Sequence, residues 1–141
     1  MVSIIVCKAA VINQQGQLLL LRCGAGAPSR PLGWDLVGGS WDGDENLEHT
    51  IKREAREESG LMVNDLQVIR AVPERLPEGS YKLSVSFLAR TTHNRISLGR
   101  QHDMFSWVGP HDLAVYGLPL LWHAAAVAAF KFAGRGEAAA L

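Results

Sequence analysis

One segment, residues 45–61, constrains this chain more than any other. Asp44 or Asn46 can cap a helix running from about residue 46 to 59, and Gly60 suits the left-handed position just past its end. At about 100° per residue, Leu47, Ile51 and Ala55 form one stripe, which should face a core. Glu48, Lys52 and Arg56 fall on the far side. The next step along the apolar stripe lands on Glu58. Glu54 lies at the edge of the same stripe, and Glu57 a little further round. The inward face therefore turns from apolar to acidic in the last turns.

That acidity is costly. Glu54 is three and four residues from Glu57 and Glu58, and like charges at such spacing cost about 0.2–0.5 kcal/mol per pair. They also crowd a helix C-terminus, whose dipole favours cations by about 0.3–1 kcal/mol per charge. Partial burial of an unpaired carboxylate costs more than either. Arg53 can pair with Glu57 at i+4 but cannot neutralise all three. A hard divalent cation would remove the conflict, since Mg²⁺ and Mn²⁺ take carboxylate oxygens. The competing reading is a solvated helix laced with ion pairs, such as Glu48–Lys52 and Arg53–Glu57. Helix geometry alone leaves both readings open.

The spacing around the helix goes further. From Gly39, five residues lead to Glu45, and seven more lead to Arg53-Glu54-Ala55-Arg56-Glu57-Glu58-Ser59-Gly60-Leu61. This resembles the Nudix box, G-x5-E-x7-R-E-U-x-E-E-x-G-U, with U a bulky or aliphatic residue and Ala55 a small choice there. Nine positions agree across 23 residues. The chain thus resembles the Nudix hydrolases of MutT type, and the likeness extends more loosely over about residues 3–115.

The resemblance implies an α/β/α sandwich with a mixed sheet and a loop–helix–loop catalytic motif. It implies hydrolysis of a nucleoside diphosphate linked to another group, by water attack at phosphorus. The cofactor implied is Mg²⁺, with Mn²⁺ as the alternative. Glu54, Glu57 and Glu58 match the metal-binding glutamates, and Glu54 doubles as general base in some members. Arg53 would orient the glutamates. Gly39 and Gly60 would supply loop conformations, and Glu45 would support the loop. Gly38 and Gly39 leave backbone open to close approach. Two positions depart from the usual pattern: Val37 stands where proline often precedes the glycines, and Asp44 stands where glycine often precedes the glutamate.

The rest of the chain agrees with one domain spanning residues 1–141. Residues 3–13 and 17–22 read as strands around a Gln14-Gln15-Gly16 turn. A strand at 34–37 is stopped by Gly38-Gly39. Strands at 61–72 and 81–91 flank a loop at 73–80, and residues 100–108 end in another strand. Gly109-Pro110 opens a helical turn through Val115, and residues 119–133 form a second helix. Mixed strands with two helices point to a layered α/β sandwich.

Fourteen basic and fourteen acidic residues cancel, which argues against a general nucleic-acid or membrane-surface binder. No apolar window of about 18 residues could span a membrane. The start lacks a signal peptide's basic region and cleavage site, and Cys7 and Cys23 show no metal-ligand spacing. Free thiols suit a reducing cytoplasm.

Weaker candidates lie outside the box. Asp103, Glu74 and Glu78 could supply a further ligand or the base. Gln101 stands where related late strands often carry glutamate. Arg22, Arg30, Arg75 and Lys82 could meet phosphates, and Trp34, Tyr81 and Phe87 could stack on a base. His102 and His111 are lone histidines without metal spacing. Residues 122–130, rich in alanine, read as a packed helix or a homodimer face. Pro77 is a weak pointer to ADP-ribose-type substrates. The expected partner is a small-molecule nucleotide. Two alternatives remain: a nucleotide-sensing module without turnover, and an enzyme like isopentenyl diphosphate isomerase. The latter needs a cysteine acid/base, for which Cys7 and Cys23 are badly placed.

Overall fold

The run Leu18-Leu19-Leu20-Leu21 is apolar on both faces, so a strand made of it must be covered on both sides. The computed structural model, which describes the backbone of residues 3–140 and the side chains of residues 3–134, does this. Strand β2 (Leu18–Cys23) sends Leu18 and Leu20 into one buried cluster and Leu19 and Leu21 into another. Strand β1 (Ser3–Ile12) divides the same way: Ala10 and Ile12 enter the first cluster, Cys7, Ala9 and Val11 the second. Helix α1 (Leu47–Ser59) closes the second cluster with Ile51 and Ala55. Helix α2 (Leu120–Ala140) closes the first with Trp122, Ala125, Ala126 and Ala129. Of the alanine-rich run expected as a packed helix or a dimer face, Ala125, Ala126 and Ala129 pack in this contact. The result is the expected α/β/α sandwich.

The remaining strands are β3 (Trp34–Asp35), β4 (Val37–Ser40), β5 (Asn64–Arg75), β6 (Tyr81–Arg90) and β7 (His102–Val108). Their order is β3-β2-β1-β6-β5, with β4 paired to β1 and β7 to β2. β1 and β6 run parallel from Ser3↔Tyr81 to Ile12↔Arg90, and the other pairings are antiparallel. The sheet is therefore mixed. A 3₁₀ turn at Leu113–Tyr116 precedes α2. No described helix is long and apolar enough to cross a membrane.

Boundaries of three segments differ from the sequence reading. The strand expected at 34–37 is two strands: Trp34 and Asp35 pair with β2, whereas Val37 to Ser40 pair with β1. Gly38 and Gly39 do not stop the strand; they lie within β4. β5 begins later than expected and runs on through Pro73 to Arg75. It stands at the end of the strand order, where proline's missing donor costs no ladder bond on the outer side. α2 continues past residue 133.

The break between β3 and β4 opens the sheet. β1 touches β2 only near the hairpin, at Ile12↔Leu18, and takes β4 as neighbour from Ala9 to Val6. A cleft sits beside this change of partner.

Candidate active site

Helix α1 delivers the acidic residues. Asn46 caps it, its side chain accepting from the His49 N–H at 2.8 Å, and Gly60 ends it at φ 76°. Ile51 and Ala55 are wholly buried and fix the helix's rotation. Glu58, on the same stripe, is carried inward, and its side chain is 11% exposed. Glu57 faces outward at 59%. Glu54 lies between.

One arginine organises the outer part. Arg53 Nη2 donates to Glu45 Oε1 at 2.8 Å, and Nη1 donates to Glu54 Oε1 at 3.1 Å and Glu57 Oε2 at 3.3 Å. Thr50 Oγ1 also donates to Glu45 Oε1, at 2.9 Å. The Arg53 guanidinium holds the Glu45 carboxyl below its usual range. The Trp41 indole N–H bonds the Glu45 carbonyl and ties down the preceding loop. Arg53 thus orients two of the glutamates, and Glu45 anchors Arg53 rather than lining the cleft.

Glu58 has other partners. Its Oε1 accepts from the Gly38 N–H at 2.8 Å. Its Oε2 faces His102 Nε2 at 3.9 Å, beyond hydrogen-bond range. Burial pushes the Glu58 carboxyl up to about 8, against the opposing pull of the Gly38 N–H, and the Glu54 charge adds to the rise. Burial also raises Glu54. The His102 ring is pushed down by burial, and its Nδ1 is enclosed without a hydrogen-bond partner among the described residues. Two carboxyls are thus held back from ionising in one place, which a cation would reverse.

These residues line a cleft of about 450 Å³. Gly38, Gly39 and Ser40 form one wall, the three glutamates the second, and Gly99 to His102 the third. Its glycines are close approaches. A Cβ on Gly39 would lie 3.0 Å from Glu54 Oε1, so Gly39 makes room for the carboxylate rather than supplying a loop. A Cβ on Gly99 would lie 2.5 Å from the Glu57 carbonyl oxygen.

As the side chains stand, no three His, Cys, Asp or Glu among the described residues converge on one metal position. The reason is visible: Arg53 Nη1 draws Glu54 and Glu57 to itself, while Glu58 turns to Gly38. The donor set nevertheless fits a hard cation. The three glutamates offer carboxylate oxygens, and Oε2 of the nearly buried Glu58 accepts no hydrogen bond among the described residues.

The weaker candidates mostly fall elsewhere. Arg22 forms a two-point ion pair with Asp103, at 2.8 and 3.0 Å. Arg30 bonds backbone carbonyls of Trp34 and Gly117. Trp34 meets Tyr116 edge-on, Phe87 is core, and Arg75 stacks on Tyr81. Glu78 bonds Ser80. His102 and Gln101, rated low from sequence, do enter the cleft, and so does Arg100, which sequence reasoning missed. The antiparallel pairing of β7 with β2, ending at Cys23↔His102, carries them there. Cys23 reaches a continuation of the same cleft, closer than the sequence led us to expect, with its thiol pushed up by burial.

Comparison with known proteins bears on this arrangement. The NUDIX domain model matches residues 4–130. Nucleoside triphosphatase NudI of Klebsiella pneumoniae is 27% identical, over 81% of this chain and 86% of its own length. The protein of the same name from Salmonella agona shows the same identity and coverage. Among solved structures, the MutT protein from Methanosarcina mazei Go1 has a TM-score of 0.72 at 25% identity, covering 96% of this chain and 95% of that one. The NUDIX domain of Shewanella oneidensis NrtR, complexed with ADP ribose, has a TM-score of 0.76 at 19% identity, covering 93% and 88%. That last likeness is one of fold.

Proposed function

The chain belongs to the Nudix hydrolase family, and from that premise we propose that it hydrolyses a nucleoside triphosphate in the cleft of Glu54, Glu57 and Glu58. The family makes it a hydrolase of phosphoric anhydrides. The observation that carries the reading is the nearly buried Glu58 carboxyl, raised to about 8 beside Glu54 in an open cleft. Such an arrangement is unfavourable until positive charge arrives. The triphosphate comes from the relatives named as nucleoside triphosphatases.

Mg²⁺, or Mn²⁺ in its place, would be held by the three glutamates and would supply charge to the diphosphate and acidify water. The chain's own groups do the rest. Arg53 holds Glu54 and Glu57 on one side of the cleft and is itself held by Glu45. The Gly38 N–H fixes the Glu58 carboxylate from the opposite wall. Glu54, raised by burial, is tuned in the direction a general base requires near neutral pH. Water attacks phosphorus, a new P–O bond forms, and the anhydride P–O bond breaks. Two free cysteines accord with the reducing cytoplasm expected for the chain.

Turnover of a nucleoside triphosphate panel with Mg²⁺ or Mn²⁺ tests this. The parent should cleave at least one, and Glu57→Gln should lower kcat/KM by about 100-fold, or about 2.7 kcal/mol. Equal rates in parent and variant would overturn the assignment of the carboxylates. Tight nucleotide binding without turnover would make the chain a sensing module instead.

A further inference from the structure

The cleft does not end at the carboxylates. A second basin of about 500 Å³ joins it through Gly38, Glu58, Arg100, Gln101 and His102. It opens where β1 exchanges β2 for β4, and the loop from Cys23 to Ser29 walls its far side. Beyond the residues it shares with the cleft, Arg100 among them, its charged groups are an ion pair. Lys8 of β1 and Asp35 of β3 pair there, and their side chains are only 15% and 18% exposed. Lys8 Nζ also lies 5.3 Å from the centre of the Trp122 ring, which holds the ammonium in place.

The order of atoms in this pair is informative. Lys8 Nζ donates to Asp35 Oδ2, and Asp35 Oδ1 accepts from the Leu36 N–H at 2.8 Å. Ammonium, Oδ2 and Oδ1 therefore follow one another in a row. An ammonium has three N–H groups and a carboxylate about four acceptor sites, so each group retains capacity. Both residues line the basin, and by connectivity their groups run donor, acceptor, acceptor. The pair is neutral as a unit, so a second phosphate gains little from it. A heterocycle with the complementary edge gains three bonds, all of them to charged groups.

We propose that the Lys8–Asp35 pair reads the base of the nucleotide and selects guanine. The guanine pairing edge runs carbonyl O6, N1–H and 2-amino: an acceptor, a donor and a donor. It places O6 on Lys8 and the two N–H groups on Asp35. Cytosine repeats the protein's own pattern and opposes it at every position. Uracil and thymine match two positions and set a carbonyl against the carboxylate at the third. Adenine has no third group.

This proposal rests on the nucleotide reading of the cleft, and binding separates the two. GMP and CMP are titrated by NMR into metal-free parent, Asp35→Asn and Lys8→Met, and kcat/KM for GTP and CTP is measured with Mg²⁺. Both ratios compare ligands on one preparation, so a partly unfolded variant does not distort them. The parent should favour the guanine nucleotide by at least about tenfold, and Asp35→Asn, which turns an acceptor into a donor, should erase most of that preference. Lys8→Met should reduce it. A parent with no guanine preference, or a preference unchanged in Asp35→Asn, would overturn the proposal. Guanine-selective binding without turnover of any nucleotide would leave it standing and refute hydrolysis.

Discussion

Glu58→Gln is expected to lower kcat/KM by at least about 100-fold while making the metal-free protein more stable at pH 8. Both effects have one cause. The Glu58 carboxyl is nearly buried, and glutamine keeps an oxygen for the Gly38 N–H while removing the charge. An unfolded glutamate ionises near pH ~4.3; in the folded chain Glu58 does so at about 8. Between those values the native state keeps a proton that the unfolded state has released. Stability therefore falls as pH rises through this window and levels off above it. The variant has no such proton, and its curve lacks this slope. The gain at pH 8 is on the order of a few kcal/mol. Denaturant unfolding in chelator, at pH 5 and pH 8, measures it. Glu54 and His102 are present in both proteins, so the difference between the two curves reports Glu58 together with its coupling to these neighbours. A variant less stable than the parent at pH 8 would contradict the account.

Gly38→Ala should come close to unfolding the protein. Gly38 has φ 148°, and a Cβ there would sit 2.3 Å from the Cys7 carbonyl oxygen and 2.6 Å from Lys8 Cα. Those atoms are backbone of β1, paired to Gly38 across the ladder, and cannot swing aside. The loss should exceed about 4 kcal/mol, a large part of the stability of a domain this size. Gly26→Ala is the control, since its added methyl meets open space and should shift stability by less than about 0.5 kcal/mol. Urea unfolding compares the two. A Gly38→Ala protein within about 1 kcal/mol of the parent would show that β1 and β4 can part.

What was legible in the sequence was local. Helix α1, its cap, its inward Glu58 and its Arg53 all follow from residues within one stretch, because helix geometry relates neighbours at fixed angles. The two-faced burial of β2 is likewise written in its unbroken Leu18–Leu21 run. The missing parts depend on pairing between distant segments. Nothing near Val37 announces that β4 will pair with β1 and not β2, and so Gly38 and Gly39 read as the end of a strand with backbone open to a ligand, not as close approaches to β1 and Glu54. Arg100 and His102 are brought to the glutamates by the β2–β7 register, some forty residues beyond them in the chain. The Lys8–Asp35 pair joins two strands that are not paired with each other in the sheet. Pro73 looked like a loop because its tolerance depends on β5 being an edge.

The central claim is that Glu54, Glu57 and Glu58 together hold a divalent cation. Mn²⁺ binding, followed by the loss of the free-ion electron paramagnetic resonance signal in the absence of nucleotide, tests it without reference to turnover. The parent should bind Mn²⁺, and Glu58→Gln and Glu57→Gln should each weaken it by at least about tenfold. Equal affinity in the parent and both variants would show that the cation, if it binds, binds elsewhere.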